Sequence, residues 1–248
     1  MRRIVLSLLS ATALGAVSAN AADLPVKAPV YKAPPPVVYN WAGFYVGIEG
    51  GYAWGHSNVT DVTGYNALSP AGDFSYNPSG GVGNIYGGYN FQFDPFVVGV
   101  EGEVGYFGLS GSQQYPPYVG VRGSDDSVAE THPGWYGAIT GRVGVFWDNF
   151  LFFAKGGYAI TGIKNSYTDT NATGTTLVSG TDTSDRNGWT VGGGVDYMFL
   201  PNWIARIEYA YYDFGTASHT ATSAGGVNYT FDHSLTASVV KGGIAYKF

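Results

Sequence analysis

The chain of 248 residues contains no cysteine, so it offers neither a disulfide staple nor a thiolate for catalysis or zinc ligation. Charge is scarce too: 12 Lys+Arg against 18 Asp+Glu leave 12% charged residues and a net of −6. The basic residues never cluster, which excludes a nucleic-acid footprint. No apolar run reaches the roughly 20 residues that a membrane-spanning helix needs. The longest, Ile4 to Val17, follows Arg2 and Arg3 and precedes Ala19-Asn20-Ala21, the layout of a cleaved secretory signal over residues 1–21. Glycine and aromatics are abundant instead, with 38 Gly, 20 Tyr, 14 Phe and 6 Trp. So many aromatics argue against disorder, and so much glycine argues against a helical fold.

Residues 22–40 carry Pro25, Pro29, Pro34, Pro35 and Pro36 with Lys27 and Lys32, the composition of an extended periplasmic linker. The alternative is a peptide that docks on a periplasmic partner or on peptidoglycan. From Trp41 to Phe248 the dominant period is two. In Phe44–Trp54 the even positions are large and apolar except for Gly50, and the odd ones are small or polar, as in a strand with two unlike faces. Seven more segments read the same way, so eight strands are expected over 41–248. Tight turns fall at Asp94-Pro95, Asp148-Asn149 and Leu200-Pro201-Asn202. Long loops are expected from about His56 to Gly80, Ser110 to Pro133, Lys164 to Asn187 and Gly215 to His233. This asymmetry predicts an all-β, antiparallel up-and-down transmembrane β-barrel with four long extracellular loops and short periplasmic turns.

A soluble barrel would show the same alternation inside out, and charge placement decides between the two. Glu49, Glu101, Glu103, Arg142, Lys155, Asp196, Arg206, Glu208 and Lys241 all sit on the small-residue faces. Each of the four basic ones would cost roughly 2–4 kcal/mol turned toward mid-bilayer lipid. Counted from the tight-turn ends they fall at similar depth, with opposite signs often neighbours. They are therefore expected to form an ion-pair belt that fills a narrow lumen. Trp54, Trp135, Trp147, Trp189 and Trp203 are expected to form aromatic girdles. Trp135 and Trp147 share a face about 40 Å apart along the strand, or roughly 30 Å after a ~40° tilt.

The final KGGIAYKF places Lys241, Gly243, Tyr246 and Phe248 in the polar-x-Gly-x-x-aromatic-x-aromatic pattern read by the barrel assembly machinery. With ADLPVKAPVYKAPPPVVYNWAGFYVG near the start, the chain resembles the small outer-membrane barrels of Rhizobiales and related Alphaproteobacteria, over nearly its whole length. These porin-family or immunogenic outer-membrane proteins are related to the OmpA transmembrane barrel and to opacity-type proteins. The resemblance implies a bacterial outer-membrane location and an abundant surface protein contributing to envelope integrity. It also implies contact with outer-membrane lipid and lipopolysaccharide, and handling by periplasmic chaperones and the assembly machinery.

Other chemistry is thinly supported. His56, His132, His219 and His233 lie in or beside the expected loops, and His219 and His233 flank one of them. They are candidate ligands for hemin or a metal, without any ligand spacing that links all four. The loops are acidic, which argues against polyanions. No expected strand carries a His, and a Ser-His-acid set would have to be assembled from the loops, so no enzyme and no cofactor are expected. A structural surface barrel is thus expected first, a passive channel for small solutes second, and a hemin- or host-binding receptor third.

Overall fold

The computed structural model describes residues 39–63, 73–114, 128–170, 176–223 and 225–248. The expected signal peptide, 1–21, lies outside the described residues, as does the Pro-rich linker up to residue 38. The described chain forms β1 (Gly43–Asp61), β2 (Asp73–Tyr76), β3 (Ser79–Phe93), β4 (Phe96–Gln114), β5 (Val128–Trp147), β6 (Phe150–Thr170), β7 (Thr176–Leu200), β8 (Trp203–Ser223) and β9 (Asn228–Lys247). Each long strand pairs antiparallel with its neighbour, and β1 pairs with β9 from Tyr45↔Lys247 to Asp61↔Phe231, which closes the ring. The short β2 continues the β3 side of the wall past Pro78, pairing Ser57↔Tyr76 through Thr60↔Asp73. The barrel therefore has eight walls.

Closure answers a demand of the solvent. Hydrocarbon offers no hydrogen bonds, so a strand edge facing lipid would leave a row of backbone groups unsatisfied. The faces answer the same demand. Ile139 is 70% exposed and Trp147 79%, while Arg142, on the same strand, is 2% exposed. This distribution, greasy outside and ionised inside, inverts that of a soluble protein.

Two-residue turns join β3 to β4, β5 to β6 and β7 to β8 at one end, where β1 begins and β9 ends. Asp148 supplies the left-handed conformation of its turn at φ 56, which Asp tolerates better than most residues. At the opposite end the four expected long loops need correction. The strands run on through much of them, leaving only residues 62–72, 115–127, 171–175 and 224–227 between elements. The reason is the medium. Beyond the hydrocarbon the outer face meets water, so exposed His56, Asn58 and Thr60 alternate with buried Ser57 and Val59 and no apolar stripe marks the strand.

The interior is layered. At the turn end Trp41, Tyr45, Tyr86, Leu151, Met198 and Ile204 pack together. The charged residues follow, and above them lies a larger cluster including Phe107, Tyr136, Tyr212, Phe214, Ile163 and Leu235. Val59, Tyr76, Ala221 and Phe231 cap the far end. If the outer face meets hydrocarbon, Ile139→Arg should cost about 2–4 kcal/mol in reversible unfolding from lipid bilayers. Asn58→Arg, beyond the apolar band, should cost under about 0.5 kcal/mol.

Candidate functional site

Glycine on the inward faces makes room for long side chains. A Cβ on Gly243 would stand 2.6 Å from Glu49 Cγ, and one on Gly99 would stand 3.3 Å from Arg142 Cγ. Into that space the strands project all nine of the charged residues named from the sequence, every one buried. The structure brings them together in two linked groups.

Nearer the turns, Arg206 grips Asp196 with two donors, Nε to Oδ1 at 2.6 Å and Nη2 to Oδ2 at 3.0 Å. Its Nη1 donates to Glu101 Oε2 at 2.7 Å. Arg142 donates to the same Asp196 at 2.8 Å and to the Tyr45 hydroxyl at 3.0 Å. Tyr45 in turn donates to Glu101 at 2.8 Å. The two guanidinium planes also lie against aromatic rings, Arg142 over Phe153 at 4.1 Å and Arg206 over Tyr86 at 4.3 Å.

Further in, Lys241 Nζ stands 2.8 Å from Glu103, 3.3 Å from Glu49 and 3.3 Å from Glu208. Lys155 joins the groups, reaching Glu101 at 2.9 Å and Glu208 at 2.8 Å. Tyr212 donates to Glu103, and Asn84 donates to Glu49 at 3.1 Å. Oxygens of Glu49, Glu103 and Glu208 lie within 4.8 Å of one another, the spacing of a cation site. The ammonium of Lys241 sits among them, so the chain supplies that charge itself.

Sequence reasoning missed the neutral partners. Tyr45, Tyr212 and Asn84 have the inward parity of the belt, and that parity was the available signal. Arg186, counted with an external loop from the sequence, is buried inside β7 and donates to the His233 carbonyl oxygen at 2.8 Å. Its even number, in step with Asp196 on the same strand, already placed it on the lumen face.

The remaining candidates separate. Trp54, Trp135 and Trp189 point outward toward one rim of the apolar band, and Trp147 and Trp203 toward the other. Of the C-terminal pattern, Lys241 points inward and Gly243 abuts Glu49, while Tyr246 and Phe248 face outward with ring centroids 5.2 Å apart. The histidines do not form one site, and they stand on strands rather than in loops. His56 and His132 are exposed on the outside, His56 bonded to Asn77 at 2.8 Å and His132 lying 3.7 Å from Glu130. His219 and His233 meet inside, with ring centroids 5.8 Å apart. Burial, reinforced by His219 and Arg186, holds His233 down at about 3.

The network forecasts unequal costs. Removing Glu101, the acceptor shared by Arg206, Lys155, Arg142 and Tyr45, strands buried cations. Glu101→Ala should therefore cost ~3–5 kcal/mol in urea unfolding of the lipid-embedded protein. Arg142→Ala should cost less, because Arg206 still holds Asp196.

Comparison with known proteins agrees with this architecture. The outer membrane protein beta-barrel domain family matches residues 9–248. The 31 kDa outer-membrane immunogenic protein of Brucella melitensis is 28% identical over 253 aligned positions, covering 100% of both chains. A 22 kDa outer membrane protein of Rhizobium leguminosarum is 31% identical, covering 84% of this chain and 79% of its own. Among solved structures, the outer membrane protein OprG of Pseudomonas aeruginosa superposes with a TM-score of 0.54 at 14% identity, over 84% of this chain and 96% of that one.

Proposed function

The chain belongs to the outer membrane protein beta-barrel domain family and resides in the bacterial outer membrane, and on that premise we propose that it is a structural, surface-presenting barrel whose lumen the ion-pair belt closes. Its task is to add a rigid, impermeable wall to the envelope and to carry the strand extensions that face the exterior. The observation that carries this reading is the packing of the interior from end to end. Trp41 and its neighbours occupy the turn end, nine paired charges the middle, and Phe107, Tyr136 and Tyr212 the space above them.

Occlusion by paired charges differs from occlusion by a mobile plug. Each of the four cations is held by at least two carboxylates. Opening a water path would mean breaking several charge-assisted hydrogen bonds at once. A catalytic role is disfavoured on the same ground. Among the described residues the internal histidines lie in the outer part of the barrel, away from the belt carboxylates, so no belt carboxylate orients a histidine as a general base. Lipid and lipopolysaccharide are the partners the exposed aromatic and aliphatic band fits. The outward Tyr246 and Phe248 give the assembly machinery its handle, and peptidoglycan contact is assigned to the Pro-rich linker.

In planar bilayers the purified protein should show small or no single-channel conductance. A large, stable conductance would favour the passive channel instead. A strain lacking the protein should become more sensitive to detergent and shed more vesicles, with both restored by the wild-type chain.

A further inference from the structure

The signs in the belt are unequal. Among the described residues it holds the carboxyl groups of Glu49, Glu101, Glu103, Asp196 and Glu208 against the cations Arg142, Lys155, Arg206 and Lys241, one negative group in excess. The other described cations stand elsewhere, Arg186 on the outer part of β7, Lys164 exposed on β6 and Lys247 at the turn end of β9. Nearer the turns the charges balance, with Arg142 and Arg206 facing Glu101 and Asp196. The excess therefore falls on the inner group, where Lys155 and Lys241 face Glu49, Glu103 and Glu208. Oxygens of those three lie within 4.8 Å of one another. Like charges this close in a dry interior do not all stay ionised.

The contacts single out Glu49. Asp196, Glu101, Glu103 and Glu208 each have a cationic nitrogen at 2.6, 2.7, 2.8 and 2.8 Å respectively. For Glu49 the closest is Lys241 Nζ, at 3.3 Å. Its two oxygens also differ. Oε2 takes that contact and accepts from Asn84 Nδ2 at 3.1 Å. Oε1 accepts no hydrogen bond from a described residue and stands 3.9 Å from Arg206 Nη1, which donates to Glu101 instead. Glu208 Oε2 stands at the same 3.9 Å from that nitrogen, again without a hydrogen bond. Tyr136 of β5, 0% exposed, points the same way from outside the cluster. Its hydroxyl makes no hydrogen bond with a described residue, and the charges that act on it are Lys241, Glu103, Glu49 and Glu208.

We propose that Glu49 is a proton-binding site, an uncharged carboxylic acid in the folded protein that holds its hydrogen on Oε1, turns it toward Glu208 and Tyr136, and leaves the belt with four charges of each sign. The proton comes from solvent as the chain folds, and no bond between heavy atoms changes. A proton fits where a metal ion does not. The ammonium of Lys241 already stands among the three carboxyl groups, and a proton needs no coordination shell. The inference rests on the closed-lumen reading, since Glu49 in a water-filled lumen would ionise freely. It also deepens that reading, because a belt without net charge exerts no pull on an ion at either mouth.

Infrared spectra of the protein in lipid bilayers, in neutral buffer, read this directly through the carbonyl stretch of a protonated carboxyl group and its shift on deuteration. The wild-type protein should show that band. Glu49→Gln keeps the shape and the neutral state, so it should lack the band and keep the urea midpoint of the wild type. Glu101→Gln, which strands cations, should lower the midpoint. Glu130→Gln, half-exposed on β5, should leave both band and midpoint unchanged. No band in the wild type, a band that survives in Glu49→Gln, or a midpoint as low in Glu49→Gln as in Glu101→Gln would each overturn the proposal. So would a wild-type midpoint that rises with sodium chloride and not with choline chloride at equal ionic strength, which assigns the balancing charge to an alkali cation. Conductance separates the two ways of failing. A missing band in a protein that does not conduct refutes the bound proton alone, and a missing band in one that conducts strongly refutes the closed lumen beneath it.

Discussion

Hydrocarbon accepts neither an unpaired backbone group nor an unpaired charge, and both halves of this structure follow from that refusal. The ring closes through seventeen consecutive β1–β9 partners, so no strand edge faces lipid. The nine belt charges turn inward, where each finds a partner of opposite sign within reach. A barrel of eight strands leaves an interior about as wide as two long side chains meeting. Pairing across it is then nearly forced once the charges lie at one depth.

Ion pairs buried in this way are not a simple source of stability. Desolvating them costs as much as the pairing returns, and apolar substitutes of equal volume often do as well. Their value here is in specificity of register. A one-residue slip of any strand that carries a belt charge would send that charge outward into lipid, so the belt favours one alignment of the ring. Glu101 sits at the centre of that constraint, accepting from residues on β1, β6 and β8. Outside the bilayer the constraint relaxes. The ladder shifts in β4–β5, β5–β6, β7–β8 and β8–β9 all fall beyond the belt toward the exterior, apart from a minor one at the β7–β8 turn. Stability is graded along the axis, and motion is available where the surface faces the surroundings.

Much of this was legible from residue order. The period of two, the short turns at Asp94-Pro95 and Asp148-Asn149, and the confinement of charge to small-residue faces led directly to the ring and to the nine belt positions. What stayed hidden was hidden for a physical reason. From His56 to Asp61 and from Thr216 to Ser223 polar residues stand on both faces, since water lies outside and polar neighbours lie inside, so the signal that marks a strand vanished. Tyr45, Tyr212 and Asn84 carried no charge to betray their role. Arg186 and the His219–His233 pair looked like loop residues because the strands that hold them could not be recognised.

The claim on which everything rests is which face meets lipid. Nitroxides placed one at a time along residues 136–146 of β5 in bilayers, with collision rates to dissolved oxygen recorded at each, test it most directly. The account predicts a strict alternation, with high oxygen access at Ile139, Gly141, Val143 and Val145 and low access at Ala138, Thr140 and Arg142. The opposite phase, or no alternation at all, would contradict it.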